Sequence, residues 1–182
     1  MARGLIGAYF VRKDGRVTCA GRIVEVEAYL GDRDPASHSF RGKTPRNEVM
    51  FRNGGHLYVY FTYGMHFCAN VVTGSEGVGH AVLLRALEPV TGIAAMARNR
   101  GTDPAHPGLL CAGPARLCQA FGLDRRHNGT DLCGERIWIA RDPAAPPPRI
   151  TRSRRIGISA GRESLWRFSD RDSPFLSRPA RP

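Results

Sequence analysis

From Val24 to Leu30 the chain reads VEVEAYL, and strict alternation over this length selects one regular conformation, the extended strand. Val24, Val26, Ala28 and Leu30 fall on one face, while Glu25, Glu27 and Tyr29 share the other. An antiparallel strand with one wet face has the same pattern. The two carboxylates are therefore either solvated or part of a site, and the rest of the chain has to decide which.

More strands surround this one. Residues 5–11 are apolar, turn at Lys13 to Gly15 and return through RVTCAGRIVEVEAY, which predicts a hairpin. HLYVYFTY, residues 56–63, is aromatic and β-branched, with Tyr58, Tyr60 and Thr62 on one face and Val59, Phe61 and Tyr63 on the other. Residues 70–73 and 81–87 read as two further strands joined through TGSEGVG. A helix capped by Thr91 is expected to turn Ile93, Met96 and Ala97 inward, and Pro114 opens a second helix that runs to Phe121. AsnGly at 128–129 marks a turn, ERIWIA a strand and AAPPP a stiff connector, and RRIGIS at 154–159 reads as one more short strand. The end, from about 170 to 182, is expected to fray. No fixed-period repeat or heptad is present, so the expected architecture is a single α+β domain over residues 1–182, built on a curved antiparallel β-sheet with flanking helices.

At 182 residues and 20.0 kDa the chain has the length of one ordinary domain. Its five cysteines, odd in number and without CxxC spacing, argue against a disulfide framework or a structural zinc site and fit reduced, mostly buried thiols of a cytoplasmic protein. The N-terminal patch, broken by Gly7 and followed by charge, fits neither a secretory signal nor a membrane span. A formal net charge of +11 points to a polyanionic partner, nucleic acid first.

Within this frame Glu27 is a candidate general base, provided that a cation holds its charge. Arg85, inside the apolar run AVLLRALEP, is a candidate for that cation, since an unpaired buried guanidinium is costly. Aromatic side chains beside arginines, Tyr29, Tyr58, Tyr60 and Phe67 among them, can pack a core or stack on bases. His38 could combine with Asp32 and Asp34 as metal ligands, but no HxH or HExxH spacing supports this, and the HxE and PCxxC pair of zinc deaminases is missing.

RIVEVEAYLGDRDPASHS, KTPRN, LYVYFTYGMHFCANV, VLLRALEP and AGPARLCQAFGL, in this order, resemble the alkyladenine (3-methyladenine) DNA glycosylases over nearly the whole chain. The resemblance implies a fold like the formyltransferase C-terminal domain. It also implies an enzyme that flips an alkylated or deaminated purine out of duplex DNA and hydrolyses its glycosidic bond: 3-methyladenine, 7-methylguanine, ethenoadenine or hypoxanthine. Glu27 then activates the water, helped by Arg85 and the backbone carbonyl of Ile156, while Tyr29 stacks on one side of the base with His38 and Tyr60 on the other. Ala36 belongs to the same pocket, and Asn70 guards against guanine. Tyr63 wedges into the duplex with Met65 beside it, and Arg46 and Thr44 contact DNA. Glu25 is left as a solvated or structural residue. The resemblance further implies a monomer, with no metal and no cofactor, acting on double-stranded DNA that carries a damaged purine, in the cytoplasm at the nucleoid of a prokaryote or in the nucleus of a eukaryote. Because neither Lys13 nor Lys43 falls at a catalytic position, a glycosylase without lyase activity is expected.

Two positions depart from the pattern: His66 stands where relatives have tyrosine, and the chain begins inside the family's first helix, as a truncated start would. Two other classes share the surface features. A non-catalytic nucleic-acid binder would not need Glu27, and a metal-dependent nuclease would recruit Asp32, Asp34 and His38.

Overall fold

Residues 24–30 sit in the second half of a 14-residue strand that organises the sheet. The structure, a computed structural model, describes residues 1–179. β1 (Tyr9–Asp14) and β2 (Val17–Leu30) form the expected hairpin, closed by Gly15 at φ +57°. β3 (Leu57–Thr62), β4 (His66–Thr73) and β5 (His80–Thr91) follow as an antiparallel meander, and β5 returns along β2. With β6 (Ile137–Ala140) beyond β1, the order across the sheet is β3-β4-β5-β2-β1-β6. β7 (Ile150–Ser153) pairs with β8 (Arg167–Asp170), and β8 docks on residues 25–27 of β2. One edge of β2 is thus shared by β1 along its first half and β8 along its second.

This arrangement holds the middle of β2 on both edges. It also buries both faces: Val24 and Val26 are fully buried, and so are Glu25 and Glu27. The alternation is therefore not that of a strand with one wet face, and Glu25 is not solvated. A buried carboxylate persists only when donors and cations surround it, and the segments after β7 and β8 supply them.

The apolar face of the sheet carries the main core. Ile23, Val26, Leu84 and Leu87 pack there with Met96 of α2 (Ile93–Arg100) and Leu117 and Phe121 at α3 (Pro114–Ala120). Pro114 opens α3 as the sequence implied. Gly92 rather than Thr91 caps α2, because Thr91 still pairs with Ala20 in the sheet. A short α1 (Ala2–Leu5) buries Ala2 and Leu5 against the same core. No helix among the described residues is long and apolar enough to cross a membrane.

Residues 154–159 do not form the expected strand. β7 ends at Ser153, Arg155 turns inward to an ion pair, and Gly157 takes φ +75°. The expected fraying from 170 is also not found up to residue 179: Asp170 and Ser173 are buried, and Ser177 bonds Glu25. Residues 180–182 lie outside the described chain.

Gly92 shows how tightly the β5–α2 corner meets the first hairpin. Its φ is +78°, and a Cβ there would stand 2.5 Å from the Thr18 carbonyl oxygen and 2.9 Å from Cys19 Sγ. Gly92→Ala is expected to lose about 2–3 kcal/mol of stability from backbone strain plus overlap. Urea unfolding should show a lower midpoint at an unchanged slope.

Candidate functional site

Cross-strand neighbours in an antiparallel sheet share a face, and here the register aligns polar and aromatic groups across four strands. Glu27 lies opposite Leu83, Leu83 opposite Asn70, and Asn70 opposite Tyr58, while Tyr60 lies opposite Cys68. Tyr29, Leu83, Asn70, Cys68 and Tyr60 of this face line a pocket of about 340 Å³. Ala36 and His38 close it from the loop after β2, and Gly157 to Ser159 close it from the loop after β7. Glu27 lies behind the lining, bonded to the Tyr29 hydroxyl and to the amide next to Gly157.

The arginine within an apolar run has a structural cause. Glu25 pairs with Ala86 and Val26 with Leu84, so Arg85 is the extra residue of a β-bulge. The bulge turns its guanidinium onto the two glutamates of β2, with Nε 2.8 Å from Glu25 Oε1 and Nη1 3.4 Å from Glu27 Oε1. The expected pairing with Glu27 is present, but Glu25 is the closer partner.

The two carboxylates differ in what surrounds them. Glu25 accepts from Arg85 Nε (2.8 Å), Arg167 Nε (2.8 Å) and the Ser177 hydroxyl (2.7 Å) on Oε1 and from the Ser177 amide (2.6 Å) on Oε2, four donors in all. Glu27 accepts the Ile156 amide at 2.7 Å and the Tyr29 hydroxyl at 3.0 Å, leaving acceptor capacity unused. Ile156 thus meets Glu27 through its N–H, while the role the resemblance implied, help in activating the water, falls to its carbonyl. Burial pushes both glutamates up. For Glu25, Arg167, Arg85 and Ser177 outweigh it and hold the carboxyl below its ordinary value. For Glu27 burial wins over Arg85, the Ile156 amide and Tyr29, and its pKa lies above the ordinary value.

Tyr29 is flanked by a residue that its position in RSRRIGI did not single out. The Arg155 guanidinium sits 4.6 Å from the Tyr29 ring centre and 5.0 Å from that of Trp166. Arg155 also makes a two-pronged pair with Asp34, Nη2 to Oδ1 at 2.8 Å, and both side chains are fully buried. Burial, then the charge of Glu27, push the Tyr29 phenol far above its ordinary pKa, so it stays a donor. Across the pocket the His38 ring meets Tyr60 edge-on at 4.4 Å, and its Nδ1 lies 3.1 Å from the Tyr58 hydroxyl. Packing around the ring, then the Arg46 charge, push His38 below the ordinary imidazole pKa. Asn70 is oriented by its Nδ2–H, which donates to the Tyr58 carbonyl at 3.1 Å.

The β3–β4 turn projects from the rim. Tyr63 is 82% exposed and Met65 67%, and Tyr63 holds φ +51°, unusual for a residue with a side chain. Arg46 Nη2 donates to the Phe61 carbonyl at 3.2 Å, tying the TPRN loop to this turn. In the same loop the Thr44 amide donates to Asn47 Oδ1 at 2.6 Å, and Asn47 Nδ2 donates to the His38 carbonyl at 2.8 Å. Thr44 and Arg46 are exposed, so the loop that positions His38 also faces solvent beside the turn.

The twelve residues to which the resemblance gives a role thus lie at this pocket, directly behind it, or on the turn and loop at its rim. Asp32, Asp34 and His38 do not gather as ligands: Asp34 is bound to Arg155, His38 is bonded to Tyr58, and Asp32 is exposed. Among the described residues no group of three or more His, Cys, Asp or Glu is placed to hold a metal ion.

A family model described as methylpurine-DNA glycosylase matches residues 1–174. A protein of Chlorobaculum tepidum is 48% identical over 98% of this chain and 85% of its own length. Proteins of Burkholderia lata and Methanoculleus marisnigri are also each 48% identical over 98% of this chain, and over 86% and 92% of their own lengths. All three carry the provisional name 3-methyladenine DNA glycosylase.

Two outcomes follow from the buried charges. Arg155→Met leaves the Asp34 carboxylate buried without its cation and is expected to cost about 3–5 kcal/mol in chemical unfolding, whereas Asp34→Leu with Arg155→Met recovers much of the loss. The raised pKa of Glu27 means that the folded protein holds this proton more tightly than the unfolded chain. That contribution is complete below the ordinary carboxylate pKa and is lost as pH rises through the raised value. Glu27→Gln is therefore expected to be more stable than wild type at pH 7, with the gap closing as acid protonates Glu27. Unfolding curves of the two proteins at pH 7 and pH 4 check the sign.

Proposed function

The chain belongs to the methylpurine-DNA glycosylase family, hydrolases of N-glycosyl bonds in DNA, and we propose that it flips a damaged purine out of the duplex and releases the free base, leaving an abasic site. The observation that carries the reading is Glu27: a fully buried carboxylate with raised pKa and unused acceptor capacity, directly behind an aromatic pocket. Cleaving the bond between base and sugar builds positive charge on the sugar, so a carboxylate there both stabilises that charge and takes a proton from water. Arg85 keeps Glu27 ionised enough to act, and the Ile156 amide and Tyr29 hydroxyl fix its orientation.

In this reading the base lies between Tyr29 on one side and His38 with Tyr60 on the other, with Ala36 at its edge. Asn70 stands where the exocyclic amino group of guanine would collide. Stacking between rings suits alkylated purines that carry positive charge, which leave easily; a pocket that also takes neutral hypoxanthine or ethenoadenine must help the leaving base to a proton. Tyr63 fills the gap left in the duplex, with Met65 beside it, and offsets part of the unstacking cost. Arg46 and Thr44 contact the backbone, and the net charge of +11 supports capture of duplex DNA. The enzyme acts as a monomer in the cytoplasm, without cofactor or metal. It has no lyase step, because neither Lys13 nor Lys43 is among the pocket residues.

The test is base release from duplex oligonucleotides carrying hypoxanthine, ethenoadenine or methylated purines, in EDTA. Wild type is expected to release base, and Glu27→Gln to be slower by at least about a hundredfold, the scale of a lost general base. Borohydride should trap no covalent complex. Release that needs added metal points to another class of enzyme; an unchanged rate in Glu27→Gln removes Glu27 from the mechanism.

A further inference from the structure

Ser177 lies past residue 174, where the family match ends, in a stretch whose sequence suggested a loose tail. Yet it supplies two of the four donors on Glu25, its amide to Oε2 and its hydroxyl to Oε1. The same hydroxyl accepts from Arg85 Nη2 at 3.2 Å. Glu25, Arg85 and Ser177 therefore close a ring of hydrogen bonds. With Nε held by Glu25 and Nη2 by Ser177, Nη1 is the nitrogen that faces Glu27. Arg167 completes the charge balance: two glutamates of β2 stand against two arginines, and Arg167 also holds the Ser153 hydroxyl at 3.1 Å and the Arg178 carbonyl.

We infer that Ser177 is a positioning residue: by capping Glu25 and anchoring Arg85 it reserves one guanidinium nitrogen for Glu27, which is thereby held charged but not saturated. The inference rests on the proposed role of Glu27. Without the Ser177 hydroxyl, Glu25 loses a donor and Arg85 Nη2 loses its acceptor. The guanidinium is then free to swing onto Glu25 in a two-pronged pair, the geometry arginine favours with a carboxylate, and to withdraw from Glu27. The charged groups around Glu27 are Arg85 from β5, Glu25 from β2, Arg167 from β8 and Arg155 beyond Tyr29, and the neutral Tyr29 phenol donates to it. Of these, Arg85 is the cation whose orientation Ser177 fixes, so its withdrawal raises the Glu27 pKa further.

The experiment compares the full-length wild type with Ser177→Ala and Ser177→Thr in single-turnover base release between pH 5 and 9. Ser177→Ala is expected to slow release by about tenfold at pH 7, the weight of one hydrogen bond to a charged group. Its acid limb should move to higher pH, while binding to a duplex with an uncleavable 2′-fluoro lesion stays unchanged. Ser177→Thr, which keeps the hydroxyl, should restore both rate and limb. An unchanged rate and limb in Ser177→Ala overturns the inference. So does a slow variant with an unmoved limb, a lower melting temperature and no rescue by threonine, which is a structural role alone. Ser177→Cys, similar in volume but a far weaker hydrogen-bonding group, replaces Ser177→Ala if that variant does not fold.

Carboxyl carbon NMR titration of Glu27 reads the same coupling with no substrate present. An upward shift in Ser177→Ala is expected, and identical titrations overturn the inference. Wild type that releases no base, with the shift still observed, refutes the enzymatic reading and leaves the coupling standing.

Discussion

The guanidinium of Arg85 lies between two carboxylates of one strand, and much of the molecule can be understood as what makes that burial tolerable. Two glutamates two residues apart, both fully buried, would repel each other and shed their charge if left alone. One arginine reaches both because a bulge in β5 places it opposite Glu25, and a second arginine arrives on β8. β8 can dock on β2 because β1 stops short of the strand's second half. The sheet topology and the charge balance are thus one constraint expressed twice.

From that constraint follows a division of labour between chemically identical side chains. Glu25 is held by four donors and serves as a fixed anion that organises arginines. Glu27 keeps spare capacity and a proton affinity raised by its surroundings. The pocket inherits its rigidity from this arrangement, since Tyr29 is held on one side by Glu27 and on the other by an arginine that is itself locked to Asp34. Groups fixed in this way lose little freedom when a ligand arrives.

Much of this was legible in the chain, and the rest was hidden for identifiable reasons. Alternation revealed β2, aromatic and β-branched runs revealed β3, and Pro114 announced α3, because each signal is local. Arg85 stood out as a charge in an apolar run, but a bulge depends on the register of two strands and leaves no mark on either one. Arg155 and Ser177 looked like an ordinary arginine in a basic stretch and a serine in a proline-containing tail. Their partners, Asp34 and Glu25, lie 121 and 152 residues away along the chain, beyond the reach of any periodicity. Which of the two alternatives held for Glu25, solvated or structural, was hidden for the same reason: its cover comes from Arg167 and Ser177.

The layout of the buried charges also orders events in time. Glu27 is made long before its amide donor, residue 156, and before the hydroxyl of residue 177 that steadies its cation by way of Glu25 and Arg85. Until residues 167–177 have left the ribosome, β2 has a bare edge along residues 25–27, and its two acids have Arg85 as their one arginine. Chaperones and proteases meet a nascent chain in that state, and contacts this distant in sequence form slowly. The apparatus behind the pocket is completed by residues 156, 167 and 177, so a chain terminated just before residue 177 can hold the sheet and the positive surface without holding a finished centre.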